Sequence, residues 1–361
     1  MNLADLPTPC LVLDRTILLR NIARMAEAVG RHGVALRPHM KTAKSVDVAR
    51  LVLQGQPGGI TVSTLAEAEY FSAHGIGDVL YAVGITPQKL DHVARLNAAG
   101  AHIMVLTDDP ETAAVIARHT QPPHTLIEID TGESRGGVPP DDDALLEIGE
   151  ILGPRLAGVM THAGHSYGGR SIAEITRIAE AERGGVVRAA ERLRSAGHAA
   201  PIVSMGSSPT ALHAETLAGV TEVRAGVYMF GDLFQSEIGT HGLDDIAVTV
   251  LTSVIGRRPG RILVDAGGLA LSKDRSTETA PHDYGFGRVL DLGGHPVREA
   301  IVRRAYQEHG VIEMNSQALH VGDKLRIAPN HTCMTAAAHD RYHVVDGGDT
   351  VVAVWPRVNG W

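Results

Sequence analysis

The chain has 361 residues, 44% of them apolar and 20% charged, with a net charge of −8. That length suits one large domain plus a smaller one, and the composition is ordinary for a globular protein. The acidic balance argues against nucleic acid or an anionic membrane surface as partner and leaves a small molecule; no run of eighteen apolar residues offers a membrane span.

The opening MNLADLPTPCLVLD has neither a basic n-region nor a long apolar run, so no signal peptide is expected and the setting reads as cytoplasmic. Cys10 and Cys333 are then expected to stay unpaired. With aromatic residues at 4%, the core must be built from Ala, Val, Leu and Ile.

Short β-rich runs alternate with longer amphipathic stretches. The strand candidates in chain order are VALR (34–37), ITVST (60–64), DVLYAV (78–83), HIMVLT (102–107), TLIEID (125–130), LAGVMTH (156–162), PIVSM (201–205) and TEVRAG (221–226). Between them, residues 65–75 and 172–197 carry the clearest helical periodicity, the second with a possible break at Gly184-Gly185. Eight strands with intervening helices predict a (β/α)8 barrel, with a doubly wound open sheet as the competing arrangement. Beyond about residue 240 the runs DDIAVTVLTSVIG, RILVDAG, DKLRIAP, RYHVV and TVVAVWPRV are separated by turn-rich pieces, the texture of a mostly antiparallel β domain. The early run CLVLD can join it, giving a barrel over 13–240 and a β domain from 1–12 and 241–361.

In such a barrel the chemistry sits at the carboxyl ends of the strands. Lys41 lies just past the first strand, Arg135 on a glycine-flanked loop after the fifth, and His162, His165 and Tyr167 after the sixth. After the seventh, GSSPT offers backbone N–H groups, hydroxyls and a helix start at Pro209, the physics of an anion site. The eighth brings Arg224 and the glycine Gly226. Each residue taken alone has an ordinary structural explanation. Together, a phosphate cup and a lysine on one rim suggest pyridoxal phosphate held as a Schiff base. In the β domain, His331 and Cys333 are two residues apart; on a strand both would face one side and could hold one metal ion. Thiolate with imidazole suits zinc, with manganese or magnesium as alternatives.

These motifs resemble the fold-type III pyridoxal-phosphate enzymes of the D-serine dehydratase and D-threonine aldolase group. RPHMKTAKS, GITVSTLAEAEYF, THAGHSY, VRAGVY, QEHG and PNHTC carry the likeness, which runs from TPCLVLD to the closing NGW. Ala43 departs from the histidine that several dehydratases of the group have after the Lys-Thr pair.

The resemblance implies that Lys41 carries the cofactor, that Arg135 lies on its ring-hydroxyl side, and that His162 rests against the pyridine ring. It places Gly206 and Ser207, with the backbone at Gly226 and Val227, at the phosphate, and Arg224 at the pyridine nitrogen. Tyr167 is a further candidate contact. A divalent metal is implied on His331 and Cys333, and a homodimer as the assembly. The implied reaction is metal-assisted loss of water from a D-β-hydroxy amino acid, such as D-serine or a 3-hydroxyaspartate, to a 2-oxo acid and ammonia. Freed Lys41 is the implied base. Retro-aldol cleavage to glycine and an aldehyde is the alternative. Racemisation and non-catalytic cofactor carriage are further rivals, the latter disfavoured by the β domain.

Overall fold

The computed structural model describes residues 1–314 and 319–361. The chain divides into two compact units, Arg24–Gly226 with Val358–Trp361, and Met1–Ala23 with Val227–Arg357. Strand β1 (Cys10–Asp14) belongs to the latter.

The former unit is built on eight parallel strands: β2 (Ala35–Pro38), β3 (Ile60–Val62), β4 (Asp78–Gly84), β5 (His102–Thr107), β6 (Thr125–Ile129), β7 (Leu156–Thr161), β8 (Ile202–Met205) and β9 (Glu222–Ala225). All eight match the runs picked from the sequence. From β3 to β9 each pairs with the next, and β9 pairs with β2, setting Arg37 beside Arg224. A bridge between His39 and Thr61 links the remaining edges. Sequential pairing around a ring is a barrel, so the open doubly wound sheet is excluded. The strands are Val-, Ile- and Leu-rich because helices cover a parallel sheet from outside and leave little of it in water; all six residues of β7 are buried.

The possible break at Gly184-Gly185 is absent. Ile172–Ser195 is one helix of 24 residues, started by Ser171, whose side chain accepts the Glu174 N–H. A Cβ at Gly185 would stand 2.6 Å from Thr131 Cγ2, so glycine here lets the helix lie close to the barrel. Its conformational cost, about 1 kcal/mol per glycine, is outweighed by the stripe Ile175, Ala179, Val186, Ala189 and Leu193, all buried.

The other unit adds β10 (Val248–Arg258), β11 (Arg261–Val264), β12 (Arg288–Leu290), β13 (Pro296–Ala305), β14 (Gly310–Glu313), β15 (Lys324–Ala328), β16 (Arg341–Val345) and β17 (Ala353–Pro356). In the order β10-β11-β14-β13-β12-β15 and back to β10, six of them close into an antiparallel barrel. β1 continues the sheet from β10 to β16, so CLVLD does join the β unit. Among the described residues no helix is long and apolar enough to cross a membrane. Among the described residues Cys10 and Cys333 form no disulfide.

Candidate active site

Lys41 stands exposed three residues beyond the end of β2. The segment leading to it is stitched on both sides. The His39 N–H donates to Ala225 O at 2.7 Å, and the Met40 N–H to Thr61 O at 2.8 Å. His39 Nδ1 accepts the Lys41 N–H at 3.3 Å. Burial, reinforced by the charges of Lys41 and Arg224, holds the His39 imidazole well below its ordinary pKa and keeps it neutral. Glycine at 226 lets the two segments approach closely: a Cβ there would meet His39 O at 2.9 Å.

Across the mouth, His162 Nδ1 lies 2.8 Å from Gly206 O. A carbonyl only accepts, so the proton is on Nδ1 and Nε2 is bare in the neutral ring. Burial first, then Lys41, pushes the His162 pKa down to about 3.

Gly206 is held by its other side as well. Its N–H donates to Glu182 Oε1 at 3.0 Å, and the same oxygen takes the Ala163 N–H at 2.9 Å. The Gly206 amide is therefore not available to a phosphate. The Ser207 N–H is likewise taken, by Thr210 Oγ1 at 3.0 Å. Hydroxyls cluster beside it: Ser207 Oγ meets Ser166 Oγ at 2.8 Å and Thr210 Oγ1 at 3.0 Å. Gly226 and Val227 follow β9 directly, Val227 opening the 3-10 turn Val227–Met229.

Arg224 is 3% exposed inside the barrel. It donates to Ser204 Oγ and to Thr161 O. Among the described residues it makes no direct pair with Glu222, two positions back on the same strand. Ser204 stands between, donating to Glu222 Oε1 at 2.6 Å, and Arg37 takes Glu222 Oε2 at 2.8 Å. Arg37 also pairs with Asp78 at 2.9 Å. Burial disfavours the charged form of Arg224, and Glu222, Glu182 and Glu128 offset it.

Arg135 sits on an exposed loop, 59% exposed at its side chain, 3.4 Å from Glu133 and 3.9 Å from Glu128. Tyr167 is part-buried on the turn Gly164–Gly168.

In the β unit, His331 and Cys333 are not on a strand, as the spacing argument assumed. His331 is the N-cap of a short helix, Thr332–Ala336, with Cys333 in its first turn. The pair nonetheless meets, because the extended cap residue turns its ring back over the first turn. Burial works against a charge on His331, but contact with Cys333, then Asp232 and Asp274, raises its pKa to about 10. Asp232 is anchored by the N–H groups of Gln235 at 2.8 Å and Thr332 at 3.1 Å. As a donor set, imidazole nitrogen with thiol sulfur fits zinc. Among the described residues no third His, Cys, Asp or Glu completes a ligand cluster.

His39, Glu182, Ser166 and Asp232 belong to these sites and were not singled out from sequence. His39 stands two residues before the lysine, and Glu182 is a carboxylate inside an apolar helical stripe; both are readable signals.

A buried-base barrel mouth with an accessible lysine, joined in one chain to an antiparallel β barrel, defines the class. The alanine racemase N-terminal domain profile matches residues 13–233, and a serine dehydratase domain profile matches 247–345. The chain belongs to the alanine racemase-like D-serine dehydratase family of pyridoxal-phosphate enzymes. It is similar to D-threo-3-hydroxyaspartate dehydratase of Delftia sp. (strain HT23), 43% identical over all of this chain and 99% of that one. The solved structure of that enzyme superposes with a TM-score of 0.97 at 42% identity, covering 100% of both chains. Its histidine-to-alanine and cysteine-to-alanine variants have also been solved, the latter in a metal-free form, and the two replaced residues are spaced as His331 and Cys333 are. The chain is also similar to D-serine dehydratase of Dictyostelium discoideum (29% identical, 100% of this chain, 98% of that one) and to 3-hydroxy-D-aspartate aldolase of Paracoccus denitrificans (32%, 99% and 92%).

Proposed function

We propose that this chain is a pyridoxal-phosphate- and divalent-metal-dependent dehydratase. Its substrates are D-amino acids with a β-hydroxyl, of the D-serine or D-threo-3-hydroxyaspartate kind, and its products a 2-oxo acid and ammonia. The observation that carries the reading is Lys41, an exposed primary amine set by backbone hydrogen bonds between two neutral histidines and a buried arginine. When bound, the cofactor supplies an electron sink at the substrate's Cα and the metal a Lewis acid for the departing hydroxyl.

Lys41 would hold the cofactor and, once displaced, move the Cα proton with its Nζ. His162, fixed by Gly206 and uncharged at neutral pH, presents a flat neutral ring. Arg224 has no proton to release at neutral pH, so a pyridine nitrogen facing it stays unprotonated. The hydroxyls of Ser207 and Ser166, with the backbone of Gly226 and Val227, would hold the phosphate. His331 and Cys333 would hold the metal.

The test is product analysis. The cofactor-loaded protein is incubated with D-serine, D-threonine and D-threo-3-hydroxyaspartate, with zinc or with EDTA. Metal-dependent 2-oxo acid and ammonia support the reading. Metal-dependent glycine and aldehyde replace it with an aldolase, and EDTA-insensitive turnover removes the metal from the mechanism.

A further inference from the structure

A cavity of about 210 Å³ is built wholly from the β unit. Strand register places Asp14, Thr249, Arg326 and Arg288 on one face of four neighbouring strands, β1, β10, β15 and β12, and all four residues line the cavity. Arg326 is 4% exposed. Its Nε donates to Thr249 Oγ1 at 2.9 Å. Its two terminal nitrogens have no hydrogen-bond partner among the described residues, and neither is sealed in protein, so both open to the cavity. A Cβ at Gly294 would stand 3.1 Å from Arg326 Nη1, so the turn carries glycine where a side chain would cover the guanidinium.

Asp14 faces the same space and is 6% exposed. One of its oxygens accepts the N–H groups of Thr16 at 2.9 Å and Ile17 at 3.2 Å. No ion pair joins Asp14 to Arg326 among the described residues, although the charges of Asp14 and then Asp291 act on Arg326. Buried charges are ordinarily paired. Here two of opposite sign line one cavity without meeting.

The ligand that answers this lining must carry both signs. A simple anion would satisfy Arg326 and be repelled by Asp14; a simple cation would do the reverse. The volume is below the roughly 300–1,000 Å³ of typical ligand pockets, so the molecule is small. Leu233, Ile246 and Leu290 offer room for a short apolar portion. We propose that this cavity binds a small zwitterion of the α-amino acid class, its carboxylate on the terminal nitrogens of Arg326 and its ammonium toward Asp14.

N,N-dimethylglycine tests this, because its tertiary amine forms no Schiff base with the cofactor. Calorimetry on the cofactor-loaded protein compares it with acetate and with dimethylamine. The expected result is one site per chain, at least tenfold tighter for N,N-dimethylglycine than for either single-charge probe, with the cofactor's visible spectrum unchanged. Arg326→Gln should weaken binding at least tenfold, and Arg326→Lys should recover part of it. Acetate binding as tightly as N,N-dimethylglycine would overturn the proposal, as would absent binding or wild-type affinity in Arg326→Gln. If Arg326→Gln does not fold, the three-probe comparison on the wild-type chain and Arg326→Lys decide.

Discussion

Glu182 accepts the N–H of Gly206 at 3.0 Å, and through the same oxygen it accepts that of Ala163. A carboxylate on the helix Ile172–Ser195 thus ties together the loops that leave β7 and β8. Its pKa is raised, chiefly by burial, while its hydrogen bonds with Thr210, Gly206 and Ala163 work the other way.

Glu182→Ala should leave two buried N–H groups without an acceptor. At about 1–3 kcal/mol for each orphaned donor, a loss of about 2–6 kcal/mol is expected. Glu182→Gln should lose clearly less, because an amide oxygen can still accept both. Denaturant unfolding of the two variants checks this; equal losses would mean that the charge, not the acceptor, matters.

Lys41→Ala should abolish turnover and the visible absorbance of lysine-bound pyridoxal phosphate. The side chain is exposed, so folding stability should change by no more than about 0.5 kcal/mol. Spectra and an unfolding curve on one preparation separate the two effects, and normal turnover would refute the assignment.

Gly226→Ala should act on the same lysine from a distance. The new methyl would press on His39 O, 2.9 Å away, and displace the segment that carries Lys41. A cofactor affinity at least tenfold weaker is expected by equilibrium dialysis, with most of the fold retained.

Acid should destabilise the chain in a defined window. His162 has a folded pKa of about 3 against an ordinary 6.5. The contribution of its neutral form is complete above pH 6.5 and is lost progressively as pH falls toward 3, because only the unfolded chain takes up the proton. His39 acts in the same direction. His162→Asn should flatten the fall in unfolding midpoint below pH 6.5, by an amount on the order of a few kcal/mol at most. An unchanged slope would place the acid sensitivity elsewhere.

If His331 and Cys333 hold the proposed metal, His331→Ala and Cys333→Ala should each abolish divalent-ion binding, since each removes one of the two proposed ligands. Elemental analysis after dialysis is the measurement. Alanine is a good helix residue at position 333, so the Cys333→Ala chain should fold normally. Wild-type zinc content in both variants would dissociate the pair from metal binding.

The barrel was legible because parallel strands read as short apolar runs with helical patterns between them, and the residues just past each strand are candidates by rule. The pieces that escaped are those made by contact rather than by period. Glu182 reaches Gly206 across 24 positions of sequence, and Arg37 reaches Glu222 across 185; no local pattern encodes either. The spacing of His331 and Cys333 pointed to a strand, but a cap and a first helical turn also bring i and i+2 side chains together when the cap is extended. At Gly184-Gly185 the local signal for a break was overruled by packing against Thr131.

A row of charges that begins at the exposed Asp78 and runs into the barrel alternates minus, plus, minus, plus: Asp78, Arg37, Glu222 and, through Ser204, Arg224. Reversing or erasing one sign leaves its neighbours mispaired in a largely buried row. These positions are therefore epistatic, stable when changed as a set and intolerant when changed singly. A lineage that replaces Arg224 should carry compensating changes at Glu222 and Arg37.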